Sequence, residues 1–255
     1  METTVAGMKL NYITAGQGEA VLLLHGWGSS IEPYRQLTQL LSQKYFVIAL
    51  DMPGFGGSQE PPEPYGVDEY VDVVLEFLKP FGLKELNLVG HSFGGRVIIK
   101  MVNRELPFRV NKITLIDSAG IRPQPTKKKS FRQRCYKLGK WFVTRRPIEK
   151  LFPDALDQLQ RKFGSADYAA ASPMMRKCLV KVVNEDLSHL LPGITPPTLL
   201  VWGENDTATP LSDGQQMERE IPNAGLAVIK NAGHYSFLEQ PGLFLRIMAS
   251  FFEIG

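Results

Sequence analysis

Apolar and polar residues along this chain follow two rhythms. Residues 8–13, Met-Lys-Leu-Asn-Tyr-Ile, alternate and predict an antiparallel strand. Residues 20–26, 45–51, 86–90, 112–117, 198–203 and 226–230 are instead nearly continuous apolar runs. Runs without alternation suit strands buried on both faces of a parallel sheet. Amphipathic stretches near 33–43, 67–80, 93–104, 210–220 and 241–253 predict helices between them. Strands alternating with helices imply a doubly wound α/β sheet. Between residues 117 and 198 the alternation stops.

Charge changes character in the same gap. The 255 residues are 44% hydrophobic and 22% charged, enough apolar material for one large domain carrying an insertion. Net charge is +3, yet residues 121–190 hold 16 Lys and Arg against 6 Asp and Glu, whereas the remainder holds 13 against 20. The segment is therefore a compositionally distinct insert. Within it Phe131, Cys135, Leu138 and Phe142 fall at i, i+4, i+7 and i+11, an apolar stripe on a basic helix. The plain reading lays that stripe over a pocket, with Lys127, Lys128, Lys129 and Arg132 on a solvated back. The sharper readings are attraction to an acidic substrate or weak contact with an anionic membrane surface. Nucleic acid is not expected, because the positive charge is local and no binding motif accompanies it.

Other class signals are quiet. No run approaches the roughly 18 apolar residues of a membrane helix. The first 16 residues, METTVAGMKLNYITAG, lack the basic start and apolar core of a signal peptide. Two cysteines, Cys135 and Cys178, show neither metal-ligand spacing nor a disulfide framework. A reduced, cytoplasmic chain is the expectation.

In open parallel sheets ligands bind beyond the carboxyl ends of the strands, so the residues following each run carry the candidate chemistry. Leu86–Lys100, LNLVGHSFGGRVIIK, runs from a strand through Gly90-His91-Ser92-Phe93-Gly94 into a helix. Gly-x-Ser-x-Gly alone is weak, but a strand before it and a helix after it are the setting of a nucleophile elbow. A serine hydroxyl needs a base to take its proton and a carboxylate to orient that base. Of the four histidines, His189 lies in the insert and reads as a surface or packing residue. His91 neighbours the serine and reads as elbow packing, and His25 opens HGWG and reads as a loop-shaping residue. His234, in NAGHYSFLEQP between the last strand and the last helix, is the candidate base. The order Ser…Asp…His holds for both Asp117 and Asp206; Asp206 is preferred because its strand precedes that of His234. Asp51 reads as a loop brace and Glu204 as solvated. Backbone N–H groups of Phe93 and of Trp27, in HGWGSS, are the candidate oxyanion donors.

The segments LLLHGWGSS, ALDMPGFGGS, LVGHSFGGRV, VWGENDTATP and NAGHYSFLEQP occur in an order and spacing that resemble the α/β-hydrolase family. The resemblance covers residues 1–120 and 190–255. It implies an eight-stranded, mostly parallel sheet, a Ser92-His234-Asp206 triad and a helical lid inserted at 121–189, with Phe131, Leu138 and Phe142 in the substrate pocket. It also implies acyl transfer to water from an ester or thioester, with no metal or organic cofactor. Family members that use an aspartate at the elbow do not match Ser92. A C–C bond hydrolase, a cofactor-free perhydrolase and a non-catalytic receptor of the same fold remain alternatives; Tyr235 after His234 departs from the tryptophan common in C–C hydrolases.

Overall fold

A computed structural model describes residues 1–122 and 166–255. Its strands are β1 (Glu2–Val5), β2 (Met8–Ala15), β3 (Ala20–Leu24), β4 (Phe46–Leu50), β5 (Glu85–His91), β6 (Arg109–Ile116), β7 (Thr198–Gly203) and β8 (Ala224–Ile229). Its helices are α1 (Arg35–Leu41), α2 (Val67–Leu78), α3 (Phe93–Met101), α4 (Ala166–Ala170), α5 (Pro173–Asn184), α6 (Leu211–Glu220), α7 (Ser236–Glu239) and α8 (Pro241–Phe252). The strands form one eight-stranded sheet in the order β1-β2-β4-β3-β5-β6-β7-β8. β1–β2 and β2–β4 pair antiparallel, and every later pair is parallel. The expected doubly wound, mostly parallel sheet is thus the observed one.

The continuous apolar runs have the predicted cause. All five residues of β3 are buried, with Leu22 and Leu24 facing one layer and Val21 and Leu23 the other. The first layer holds α2, α3 and α6 through Tyr70, Val97 and Met217; the second holds α1, α7 and α8 through Leu37, Phe237 and Phe244. Alternation along a strand sends neighbouring side chains to opposite faces, so a strand covered by helices on both sides is apolar at nearly every position.

Four of the described elements, β1, α4, α5 and α7, lie outside the hydrophobic-pattern reading. β1 adds an edge strand of four residues, too short and too polar to register as a run. α5 falls inside the insert. Ser172 caps it by accepting the Met175 N–H at 3.2 Å, Pro173 opens it, and Met175, Cys178, Leu179 and Val182 bury one face. Cys178 is a free, buried thiol packed there. Phe131, Cys135, Leu138, Phe142, Lys127 to Lys129 and Arg132, assigned from sequence to the faces of a lid helix, lie outside the described residues. Among the described residues no helix is long and apolar enough to cross a membrane.

Candidate active site

β5 ends at His91 and α3 starts at Phe93, which leaves Ser92 alone to make the turn. It does so at φ 50° and ψ −109°, a conformation that residues with a Cβ rarely adopt. Such strain persists only where the surroundings enforce it. Here the Ser92 N–H donates to Ile116 O at 2.9 Å, and Ser92 O accepts the Ala119 N–H at 3.0 Å. Gly94 is required on the other side: a Cβ there would stand 2.0 Å from Leu24 O. The helix thereby presses against the end of β3, and the serine hydroxyl projects from the sheet edge.

Ser92 Oγ lies 3.0 Å from His234 Nε2, and His234 Nδ1 lies 2.8 Å from Asp206 Oδ2. The three residues expected to act together are therefore joined in one hydrogen-bonded chain. The loop that carries His234 is held from both sides. Glu239 accepts the Gly233 and Tyr235 N–H groups at 2.8 and 3.3 Å, and the buried His91 ring points Nε2 at His234 O, 2.8 Å away. Asp206 accepts the Ala208 and Thr209 N–H groups at 2.8 and 3.0 Å and the Thr209 hydroxyl at 2.8 Å. Burial works against its charge, but the His234 hydrogen bond, the imidazolium charge and the Thr209 donors hold the carboxyl below the usual Asp value. For His234 burial favours the neutral ring; Asp206 overrides it and raises the imidazole above 6.5.

The other candidates fall where their chemistry suggests. Asp117 is fully buried; its Oδ1 accepts the Gly203 N–H at 2.8 Å and its Oδ2 accepts both donors of Ser236. Burial pushes it up to about 7, although those three donors favour the carboxylate. His25 approaches Gly26 O through Nδ1 at 2.7 Å and accepts the Met52 N–H at Nε2, 3.0 Å, which fixes the tautomer with its proton on Nδ1 and joins two loops. Asp51 accepts from Ile31, Asn11 and Gly57, a brace between loops. Burial pulls His91 down to about 3, so it stays neutral. His189 and Glu204 are exposed.

Trp27 and Phe93 stand beside the serine. Their rings meet edge to face at 5.3 Å, and a Cβ on the preceding Gly26 would approach Ser92 Cβ to 3.3 Å. Both line a cavity of about 180 Å³ with Ser92, His234, Ile121, Leu179 and Val182. The described end of the insert therefore forms part of the wall over the strand ends. Arg96 and Thr209, also in that wall, are not among the residues the sequence pattern picks out. Arg96 follows Ser92 by four residues, one helical turn, and that spacing is the signal by which it could have been found. Among the described residues no three His, Cys, Asp or Glu side chains are grouped to hold a metal ion.

Comparison with known proteins identifies the family. Residues 19–241 match the family model of the alpha/beta hydrolase fold. A 2-hydroxymuconate semialdehyde hydrolase of Pseudomonas putida is 29% identical over 98% of this chain and 92% of its own. A pimeloyl-acyl-carrier-protein methyl ester esterase of Nitrosospira multiformis is 28% identical over 92% of this chain and 95% of its own. An esterase from Exiguobacterium antarcticum has a structure similar to this one, with a TM-score of 0.77 at 24% identity, covering 99% and 98% of the two chains. A strained strand-to-helix serine, a sheet of this order and a family match across most of the sequence lead to one conclusion: the chain belongs to the alpha/beta hydrolase fold family.

Proposed function

We propose that this protein is a serine hydrolase that cleaves a carboxylic ester or thioester through an acyl-enzyme on Ser92. The observation that supports it best is the unbroken chain from Ser92 Oγ through both nitrogens of His234 to Asp206. With Asp206 accepting the Nδ1 proton, Nε2 carries the lone pair that faces the hydroxyl. Ser92 Oγ attacks the carbonyl carbon as its proton passes to Nε2, and Asp206 stabilises the imidazolium that forms. The backbone N–H groups of Trp27 and Phe93 receive the developing oxyanion, at roughly 3–4 kcal/mol for each well-placed donor. The imidazolium then protonates the leaving alcohol or thiol. Water enters, gives its proton to His234, attacks the acyl carbon, and the acid departs with Ser92 restored.

A C–C bond hydrolase would use the same serine on a ketone carbonyl, and the similarity to the Pseudomonas putida enzyme favours keeping that reading second. A series of p-nitrophenyl esters of graded acyl length separates the two. Under the ester reading a burst of p-nitrophenol, about one per chain, precedes steady turnover with at least one member, and Ser92→Ala shows neither. Absence of burst and turnover across the whole series would overturn the ester reading.

A further inference from the structure

Arg96 stands in the wall of the same cavity as Ser92 and His234, and it is 3% exposed. A buried guanidinium is ordinarily paired with a carboxylate, because an uncompensated charge out of water is costly. Among the described residues no carboxylate makes an ion pair with this one. Of its five N–H donors, one is occupied within the described residues, by the backbone carbonyl of Glu185. The neighbouring carboxylates are taken: Glu185 pairs with Lys100, and Asp186 accepts from Ser188 and the Arg122 N–H. Burial pulls the guanidinium down to about 10, still charged at neutral pH, with Glu185 and Asp186 opposing the fall.

Its position is informative. The Arg96 N–H reaches back to Ser92 O, 3.3 Å away, so the two residues are one turn apart on the same side of α3. At about 1.5 Å per residue the arginine starts roughly 6 Å along the axis from the nucleophile, a spacing its own long side chain can alter in either direction. Ile121, Leu179 and Val182 provide apolar wall in the same cavity. Two acids also line it, Asp167 and Asp213. Burial and the nearby Asp206 push the Asp213 carboxyl up from its ordinary value.

Resting on the serine-hydrolase reading above, we propose that Arg96 is a specificity residue for substrates whose acyl part carries a free carboxylate, as in the half-ester of a short dicarboxylic acid. The ester end lies at Ser92, the methylenes lie along Leu179 and Val182, and the far carboxylate meets the guanidinium fork, whose spacing matches two carboxylate oxygens.

Three substrates test this: monomethyl adipate, monomethyl glutarate and neutral dimethyl adipate, with released methanol as the readout. Charge-assisted hydrogen bonds of this kind correspond to roughly 10- to 100-fold in affinity. The wild-type enzyme should therefore show a KM for one or both half-esters lower than that for dimethyl adipate by about this factor. Arg96→Met should bring the half-ester to diester ratio close to one through KM, and Arg96→Lys should restore part of it. A wild-type enzyme that handles dimethyl adipate as well as both half-esters overturns the proposal without any variant, and so does an Arg96→Met enzyme that keeps the preference. Calorimetric binding of monomethyl adipate to Ser92→Ala protein keeps the two readings apart. If no ester is turned over but binding is present and is lost in the Ser92→Ala, Arg96→Met double variant, the hydrolase reading fails and the anion site stands. Absence of binding with normal ester turnover overturns the anion site and leaves the hydrolase reading intact.

Discussion

Ser236 donates twice to one oxygen of Asp117, through its backbone N–H at 3.1 Å and its hydroxyl at 2.6 Å. That pair ties the end of β6 to the residue two positions after His234, so Asp117 holds the histidine loop without touching the imidazole. The ring's own partner is Asp206. Asp206→Asn should lower turnover by about 10⁴, as loss of the orienting carboxylate does in comparable triads. Asp117→Asn should cost far less turnover but lower the melting temperature, since an amide cannot accept from three donors. Steady-state kinetics and thermal melts on both variants check the ranking; the reverse order would make Asp117 the acid.

His234 must be neutral to accept the serine proton. Burial alone would lower its pKa, but Asp206 raises it above 6.5. The acidic limb of kcat/KM should therefore have its midpoint above 6.5, with activity lost as pH falls through it. Asp206→Asn should move that midpoint downward. A midpoint well below 6.5 in the wild type would contradict the role given to Asp206 beside the ring.

His91 makes a prediction about stability rather than rate. Its ordinary value of 6.5 falls to about 3 in the folded protein. Between those values the unfolded chain binds a proton that the folded chain refuses, so this contribution is present above pH 6.5 and is lost as pH drops toward 3. Urea midpoints measured across that range should fall steadily, and His91→Phe should flatten the slope even if it lowers the starting stability. An unchanged slope would show that His91 is not the group responsible.

Gly94→Ala asks a methyl group to occupy a place 2.0 Å from Leu24 O, a backbone atom that cannot swing aside. Overpacking of this kind costs about 1–3 kcal/mol, and at this chain length each kcal/mol moves the melting point by roughly 2–4 °C. Calorimetry should show a loss within that range, accompanied by weaker turnover because Ser92 is two residues away. A melting point equal to wild type would mean the elbow is looser than its contacts imply.

Much of this is legible in the sequence, for reasons that can be traced residue by residue. Ser92 is readable because the requirements of a strained turn are local: a strand before, a helix after, small residues at Gly90 and Gly94. Both Asp117 and Asp206 follow apolar runs and precede His234, and Asp206 can be preferred because its run is the neighbour of the one before His234. What stays hidden depends on distant partners. Thr209 Oγ1 lies 2.8 Å from Asp206 Oδ2 and 3.0 Å from the backbone oxygen of Asp117, 92 positions away, so its one proton has two acceptors in reach, and no spacing announces such a bond. Arg96 sits one helical turn after Ser92, a spacing the sequence shows, but its burial is not readable there, because Glu185, near the far end of the insert, helps enclose it. α5 has a readable start, Ser172-Pro173, and a readable stripe, but the denser basic charge in the first half of the insert is the stronger signal and masks it. β1 is a four-residue edge strand whose pairing with β2 decides its conformation.

Covalent labelling with a fluorophosphonate tests the central claim most directly. Peptide mass analysis should find one adduct per chain, on Ser92, with turnover lost in proportion to labelling. Ser92→Ala should take up no label and lose turnover by about a million-fold, as removal of the nucleophile does in a comparable triad. Label on another residue, or an alanine variant that keeps wild-type turnover, would contradict the assignment of Ser92 as the nucleophile.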